Sequence, residues 1–434
     1  MSYKTYKKYK DSEVEWIGEI PLDWNIVRNK NIFKKSKVIV GQQWNKFPVL
    51  SLTKNGVIIK DIKLNEGKMP SDFSVYQIIS PGNLLLCLFD IDVTPRCVGF
   101  IENKGIVSAA YSEIKSISNI FMKYYYYWYL MLDNDKTLLH LSKNLRNSLS
   151  NEDFMSLPIV KPSLKEQTLI ADYLDKKISE IDGNIAKNKE LISLLEEKKT
   201  ALINQAVTKG LDPNVPMKDS KIEWIGEIPE HWEVKRLKYN CQVNPSNKKF
   251  ISNQDIKVNF LPMEKVSDNG WFDENSKEDY SKISKGYTYF EDNDVLLAKI
   301  TPCFENGKST LIKDLDYGFG FGSTEFHVIR FGVENLPKFI YYLIKSYSFR
   351  HLGQAFMIGT AGQKRVSTEF VENFPMVTLP IYEQKEIVDY LDEKILKIDK
   401  TTEKVYKQID LLEEYKNSLI HHAVTGKIDL RNDV

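Results

Sequence analysis

The sequence predicts an α+β protein with an internal pseudo-twofold duplication. Two similar globular parts are expected, joined by two long helices that pack on each other as an antiparallel coiled coil. Three observations predict this fold. The heptapeptide EWIGEIP occurs twice, at 15–21 and 223–229, and the pattern EQ-x-x-I-x-x-YLD also occurs twice, each time at the start of a heptad repeat. Between these landmarks, short apolar runs alternate with glycine-containing turns, as is typical of short strands.

The duplication fixes the ends of each copy and leaves the middle variable. Each EWIGEIP segment is followed three residues later by a tryptophan, Trp24 or Trp232, at a spacing of 208 residues. The later landmarks, starting at Leu157 and Phe374, are 217 residues apart, so the second copy has gained nine residues between them. The predicted domains are a first globular part at 1–156, a first long helix at 157–210, a second globular part at 211–373 and a second long helix at 374–434.

Each long helix carries a heptad seam. Ser163, with Glu166 three residues on, predicts a capping box at the start of the first helix. Apolar residues then recur at heptad spacing, interrupted by polar residues such as Lys199 and Lys416. From Ser163 to Thr208 an unbroken helix would span roughly 69 Å, which favours a spacer over the alternative that each helix only covers its own domain. The predicted seam residues are Leu174, Ile178, Ile181, Ile185, Ile192, Leu195 and Leu202 in the first helix, and Leu391, Ile395, Ile398, Val405, Ile409, Leu412 and Leu419 in the second.

Composition predicts a folded cytoplasmic protein. The 434 residues are 42% apolar, which is ample for hydrophobic cores, and no run is long enough to span a membrane. The basic start, MSYKTYKKYK, is followed by no apolar stretch of the kind found in secretory signals. The four cysteines form no C-x-x-C pair, so neither zinc nor a disulfide framework is expected. A net charge of +1 indicates that any nucleic-acid surface must come from local clusters or from a partner.

Catalytic motifs are incomplete throughout the sequence. FENGKST at 304–310 lacks the first glycine of a phosphate-binding loop, because Pro302 stands in that position. VNPSN at 243–247 lacks the second proline and the aromatic ring of the adenine methyltransferase loop. The six histidines show no metal-ligand spacing. The sequence therefore favours a binding protein over an enzyme, with a self-contained methyltransferase or nuclease as the alternative and a coiled-coil interaction protein as a third interpretation.

Polar and basic clusters recur at similar places in the two globular parts. Lysine and arginine neutralise phosphates, while glutamine, asparagine and arginine can pair with base edges. Each copy has an early cluster and a late polar loop, SKNLRNSLS at 142–150 and GTAGQKRVS at 359–367, although any such loop can also be plain solvated surface. The predicted DNA-contacting residues are Gln42, Gln43, Asn45, Lys46, Arg96, Lys143, Asn144 and Arg146 in the first copy, and Asn244, Asn247, Lys248, Lys299, Gln363, Lys364 and Arg365 in the second.

The run MKYYYYWYLML at 122–132 allows two interpretations. Its aromatic side chains could stack on bases. At helical spacing they are more typical of a helix packed into a core, and the sequence favours that interpretation.

Several of these segments resemble one known family. KDSEVEWIGEIPLDWNIVR, KDSKIEWIGEIPEHWEVKRLK, the two EQ-x-x-I-x-x-YLD helix starts and the endings AVTKG and AVTGKIDLR are similar to the specificity subunit of type I restriction-modification systems. The resemblance runs from about Lys10 to Arg431. It covers nearly the whole chain, in the order of recognition domain, helix, recognition domain, helix.

The resemblance implies a non-catalytic DNA reader. In the family each target recognition domain reads one half of a bipartite site in double-stranded DNA, and two methylation subunits dock on the scaffold. S-adenosylmethionine is then expected in those methylation subunits, with ATP and Mg in the restriction subunits and no cofactor in this chain. The late loop GTAGQKRVS resembles the family's recognition loop. Because the two halves of a split site usually differ, the identical EWIGEIP segments are expected to be scaffold.

Overall fold

The computed structural model describes residues 4–61, 72–142, 147–246, 255–360 and 362–431. The chain forms two compact units: Met1–Asn188 with Tyr406–Val434, and Lys189–Val405. Each unit contains one globular part and one half of each long helix. The four domains predicted from the sequence treat the helices as separate segments, and their boundaries stay a prediction. In the described ranges, every helix falls short of the combined length and hydropathy that crossing a bilayer requires.

The first unit builds its globular part on a sheet with strand order β4–β11–β8–β9, in which all neighbours are antiparallel. Smaller antiparallel pairs join β1 to β2, β3 to β12, β5 to β6 and β7 to β10. Within the described residues these elements are β1 (Tyr9–Asp11), β2 (Glu19–Pro21), β3 (Asn25–Arg28), β4 (Phe33–Ser36), β5 (Leu50–Thr53), β6 (Gly56–Ile59), β7 (Gln77–Ile79), β8 (Leu84–Leu86), β9 (Val98–Phe100), β10 (Gly105–Val107), β11 (Ser112–Ser116), α1 (Met122–Asn134), α2 (Thr137–His140), α3 (Asn151–Ser156) and β12 (Pro158–Lys161).

The tyrosine run lies on α1 and belongs to the core. Tyr124, Tyr125, Tyr129 and Trp128 are buried, and the Tyr129 hydroxyl donates to Asn29 Oδ1 over 2.5 Å. Burial raises the pKa of Tyr129 well above its ordinary value, because the phenolate would lose its hydration. The interpretation of this run as a core helix is confirmed.

The second unit repeats the framework with a different insertion. Its main sheet has the order β16–β23–β20–β21, and β13 pairs with β14 and β15 with β24, as in the first unit. A further sheet, β18–β17–β22–β19, contains a parallel pair between β17 and β22. The described elements are β13 (Met217–Asp219), β14 (Glu227–Pro229), β15 (Glu233–Arg236), β16 (Cys241–Val243), β17 (Lys257–Leu261), β18 (Lys277–Asp279), α5 (Tyr280–Ile283), β19 (Thr288–Glu291), β20 (Val295–Ala298), β21 (Ser309–Leu311), β22 (Phe319–Gly322), β23 (Phe326–Phe331), α6 (Pro337–Lys345), α7 (Tyr347–Ala355), α8 (Thr368–Asn373) and β24 (Pro375–Thr378).

The two long helices are α4 (Leu164–Lys209) and α9 (Ile381–Val424). The predicted capping box is present at the start of α4: the Glu166 N–H donates to Ser163 Oγ over 3.3 Å, and the Ser163 N–H donates to Glu166 Oε2 over 3.2 Å. Every residue predicted for the seam is buried or half-buried. The seam therefore forms an apolar stripe along each helix.

The helices run antiparallel in each unit taken by itself. In the first unit, Lys416 of α9 pairs with Asp182 of α4 over 2.7 Å. In the second unit, Lys199 of α4 pairs with Asp399 of α9 over 2.7 Å. The partners are exchanged between copies, since 182 and 399, like 199 and 416, differ by 217. The predicted antiparallel coiled coil with pseudo-twofold duplication is confirmed.

Candidate nucleic-acid interface

A hairpin projects from the second unit where the sequence predicts the late polar loop. Ile358 and Arg365 exchange backbone hydrogen bonds of 3.0 and 2.9 Å, which close the loop between them. Gly359 has a φ of +138°, and a Cβ added there would lie 2.8 Å from the Gln363 carbonyl oxygen. Only glycine fits this position without distortion, so the backbone at 359 requires Gly359.

The base of this hairpin is fixed to the end of β20. The Val366 N–H donates to the Lys299 carbonyl over 2.8 Å, and the Thr301 N–H donates to the Lys364 carbonyl over 2.9 Å. The Thr301 hydroxyl in turn accepts from the Lys364 N–H over 3.1 Å. These backbone bonds hold the base of the hairpin against residues 299–301. The predicted contact residues Lys299, Gln363 and Lys364 therefore lie together on one surface.

Arg365 has an internal partner on this surface. Its guanidinium donates to both carboxylate oxygens of Glu325, with N–O distances from 2.8 to 3.2 Å. These bonds lower the pKa of Glu325 below its ordinary value. Gln363 and Lys364 are exposed beside the pair. The cluster can therefore present the ammonium of Lys364 and the amide of Gln363 directly, whereas Arg365 must share or leave Glu325 to contact an anion.

Asn244 uses its side chain inside the protein. Its amide oxygen accepts from the Val328 N–H over 3.0 Å, and its Nδ2 contacts Thr368 Oγ1 at 3.3 Å. A φ of +53° places its backbone in the left-handed region that asparagine tolerates. Its contact with DNA stays a prediction. In the structure its amide is already hydrogen-bonded within the protein. The neighbouring predicted residues Asn247 and Lys248 lie outside the described residues.

The late loop of the first unit is anchored in the same way. The Leu149 N–H donates to the Leu88 carbonyl over 2.8 Å, and the Ile91 N–H donates to the Asn147 carbonyl over 3.0 Å. Leu149 and Val366 differ by 217 residues. Each follows its late loop and bonds to a residue just beyond β8 or β20, which is the second strand of its main sheet in chain order. The predicted contact residues in this loop, Lys143, Asn144 and Arg146, lie outside the described residues.

An early cluster of the first unit forms an exposed turn. Gly41–Lys46 is a 3-10 helix, and Trp44 anchors it by packing on Phe73 with the ring centres 5.3 Å apart. Around this anchor the predicted contact residues are exposed, namely Gln42, Gln43, Asn45 and Lys46. Trp44 is half-buried while the polar side chains around it are exposed, so this turn presents hydrogen-bonding groups to solvent.

Arg96 has a structural role in the first unit. Its Nη1 donates to Asn134 Oδ1 over 2.6 Å and to Asp133 Oδ2 over 3.2 Å. Asn134 Nδ2 then donates to Asn417 Oδ1 of α9 over 2.8 Å. The guanidinium of Arg96 thus connects to the long helix α9 through Asn134. Contact between Arg96 and DNA stays a prediction that would have to coexist with these bonds.

Each unit seats its globular part on the helices through the repeated tryptophan. Trp24 donates to Glu166 in the first turn of α4 over 3.2 Å, and a Cβ added to Gly426, just beyond α9, would lie 3.1 Å from the Trp24 ring. In the second unit, Trp232 donates to Glu383 over 2.8 Å and packs against Gly210 in the same way. The tryptophan that follows each EWIGEIP segment therefore acts as scaffold, and the same role for the segments themselves stays a prediction.

A second set of repeated contacts reinforces this seat. Gln167 Oε1 accepts from the Phe121 N–H over 2.8 Å, and Gln384 Oε1 accepts from the Leu336 N–H over 2.9 Å. Further along the helices, matched lysine pairs follow: Lys123 with Asp175 at 2.5 Å and Lys338 with Asp392 at 2.6 Å. The EQ-x-x-I-x-x-YLD pattern recurs because Glu, Gln and the final Asp each make one of these contacts.

Sequence patterns did not indicate three residues that support the candidate DNA-binding surface of the second unit. Thr301 and Glu325 hold Lys364 and Arg365, and His327 lies buried behind them. The partners of Glu325 and His327 lie 39 to 83 residues away in sequence, so local patterns carry no signal for them.

Comparisons with known proteins agree with this arrangement. The family model described as type I restriction modification DNA specificity domain matches residues 229–411. The specificity subunit of the type I restriction enzyme MjaVIII from Methanocaldococcus jannaschii is 25% identical over 443 residues, which cover 98% of each chain. The chain is similar to specificity subunits of type I restriction-modification systems. The matched region at 229–411 includes most of the second unit.

Two further similarities define how far the comparison extends. The EcoEI specificity subunit of Escherichia coli is 33% identical over 242 residues, or 55% of this chain. The matched region is 40% of the length of that relative and of the next curated one. A chain from a solved structure on complex assembly and conformational transition of the type I R-M system is 13% identical, with a TM-score of 0.69 and coverage of 96% and 99%. At 13% identity this likeness shows the fold alone.

Proposed function

We propose that this chain is the DNA-reading subunit of a type I restriction-modification complex, in which each unit reads one half of a bipartite site. The observation that supports it most is the late loop, which is anchored at the same place on both main sheets while its residues differ. The same arrangement of strands thus holds a different set of polar side chains in each unit. Two such sets can bind two half-sites of different sequence. The exposed Lys364 and Gln363, and the turn at 41–46, supply groups that bind phosphates and base edges.

The same proposal assigns all bond-making to other polypeptides. Two methylation subunits would carry S-adenosylmethionine, and restriction subunits would carry ATP and Mg, with this chain holding no cofactor and working in the cytoplasm. A near-neutral chain is compatible with DNA binding if these partners also surround the duplex.

Exchange of one globular part tests the proposal. Strands β15 and β24 pair with each other and frame the second globular part, so residues 237–374 can be replaced by those of a relative without disturbing the helices. The chain and the chimera are each co-expressed with a methylation subunit, and adenine methylation is mapped across the host genome. The chimera should change one half of the methylated motif only.

The control is the reciprocal exchange of residues 29–157, between β3 and β12. This exchange should change the other half. A motif altered in both halves by either exchange, or methyl transfer by the chain without a partner, would contradict the proposal.

A further inference from the structure

His327 lies on β23 between the two segments of the second unit that carry the predicted DNA contacts. It is 2% exposed. Its Nε2 lies 3.0 Å from the carbonyl oxygen of Val366, directly after the hairpin, and its Nδ1 lies 3.1 Å from Nδ2 of Asn244. One buried ring therefore bridges the base of the hairpin and the bend at Asn244 directly after β16, which we name the Asn244 turn.

These partners determine which ring nitrogen carries the proton. A carbonyl oxygen only accepts, so Nε2 must donate to Val366. The Asn244 amide is oriented by the Val328 N–H, which donates to its Oδ1 over 3.0 Å, and Nδ2 is thereby turned towards the histidine. Since Nδ2 only donates, Nδ1 must accept. The network as built requires neutral imidazole with its proton on Nε2.

The surroundings keep the imidazole neutral at physiological pH. Burial lowers the pKa of His327 below its ordinary value, and the charge of Lys299 lowers it further. The Val366 carbonyl and the carboxylate of Glu325 act in the opposite direction, and Glu325 is itself paired with Arg365. On the neighbouring strand the residue opposite His327 is the apolar Leu297.

We propose that His327 is a positioning residue of the DNA interface: its neutral form holds the Asn244 turn and the hairpin in register, and a proton on Nδ1 separates them. The inference rests on the proposed function. A protonated Nδ1 would direct an N–H at the Nδ2–H of Asn244. The amide cannot simply flip, because its oxygen would then lose the Val328 N–H. Acidification should therefore loosen the register of this interface.

The first unit lacks this histidine. His327 stands opposite Leu297 of β20, and the matching position of the first main sheet, opposite Leu86 of β8, is Ser112. Serine does not titrate in this range. Sensitivity to acid should consequently be confined to the half-site that the second unit reads.

The test uses the full chain assembled with its methylation subunit, and duplexes that carry the mapped motif or a change in one half. Binding is measured from about pH 8 to about pH 5, because the pKa of His327 lies below the ordinary histidine value. The wild type should lose about two- to tenfold in affinity on acidification, corresponding to one lost internal hydrogen bond. The loss should come from discrimination in the second unit's half-site. Ser112→Ala, the matched control, should keep the wild-type profile.

Two variants separate positioning from general stability. His327→Gln keeps a donor towards Val366 and cannot titrate, so its affinity should not vary with pH. Asn244→Asp offers a carboxylate that accepts from a protonated Nδ1, so its affinity should hold or rise on acidification. If both variants lost affinity on acidification as the wild type does, the inference would be overturned.

A spectroscopic measurement on the wild type covers the case in which the variants fail to fold. Nitrogen-15 shifts of His327 should report the Nε2–H tautomer and a pKa below the ordinary value. A proton on Nδ1 at neutral pH would overturn the inference without touching the proposed function. Absence of any sequence preference at any pH would instead remove the proposed function.

Discussion

The indole N–H of Trp232 donates a hydrogen bond of 2.8 Å to the carboxylate of Glu383. It joins Trp232, three residues after the repeated EWIGEIP segment, to the first turn of α9, where a carboxylate also interacts favourably with the helix dipole. Trp24 and Glu166 make the same bond in the first unit. Because the matched tryptophans make equivalent bonds to the two long helices, they seat the two globular parts in the same way.

Removing the indole donor should therefore weaken folding and leave recognition unchanged. Trp232→Phe loses a hydrogen bond to a charged group, and the free energy of unfolding should fall by about 1.5–3 kcal/mol. Urea denaturation followed by circular dichroism measures this loss. Trp24→Phe is the matched variant of the first unit and should show a similar loss. A changed methylation motif in either variant would show that the segment reads DNA.

The exchanged ion pairs of the coil should be weak and nearly equal. Lys199 with Asp399, and Lys416 with Asp182, each join α4 to α9 at 2.7 Å, but the aspartates are about half exposed. Water and salt screen such pairs, so double-mutant cycles to alanine should give a coupling of about 0.2–1 kcal/mol in each unit. No coupling in one unit and full coupling in the other would contradict antiparallel packing with equivalent contacts.

The sequence predicted those features of the fold that depend on local periodicity. The duplication follows from the repeated segments themselves. The heptad seam and the capping box at Ser163 follow from spacing, because a helix places residues three and four apart on one face. The aromatic helix α1 could be assigned to the core for the same reason. The internal sheets could be expected only in outline, since the pairing of β23 with β16 and β20 joins segments far apart in the chain.

The candidate interface was harder to predict because a polar residue in a loop has the same letter whether it faces solvent or a buried partner. Gln42 and Lys364 are exposed as expected. Arg96 instead pairs with Asp133, and Asn244 with Val328 and His327, through contacts 37 to 84 residues away in sequence. Only the fold brings these partners together.

Lys345 should make stability depend on pH in the alkaline range. Its Nζ donates to the carbonyl oxygens of Gly307, over 2.7 Å, and of Asp268. Burial, with smaller effects from Arg350 and Lys199, lowers the pKa of Lys345 from 10.5 to about 7. Between these two values the unfolded chain binds a proton that the folded chain does not. The free energy of unfolding should therefore rise with pH across that window.

Lys345→Met tests this dependence. Methionine keeps most of the side-chain volume and removes the titrating group, so the rise in unfolding free energy between about pH 7 and pH 9 should flatten. Lys385→Met, at an exposed position on α9, is the control and should keep the wild-type slope. The account of Lys345 fails if both variants follow the wild-type curve.

The ion pair between Arg365 and Glu325 should restrain DNA binding by the second unit. Glu325→Gln removes the charge that neutralises the guanidinium, so affinity for DNA should rise and the salt dependence should steepen by about one phosphate contact. Lys364→Ala should have the opposite effect, a salt slope shallower by about one, because its exposed ammonium is already available. Both are measured by titrating DNA at several salt concentrations with the chain bound to its methylation subunit. Lys385→Ala serves as the control for a lysine on the helices. If Glu325→Gln weakened binding, the carboxylate would be positioning Arg365 for DNA rather than withholding it.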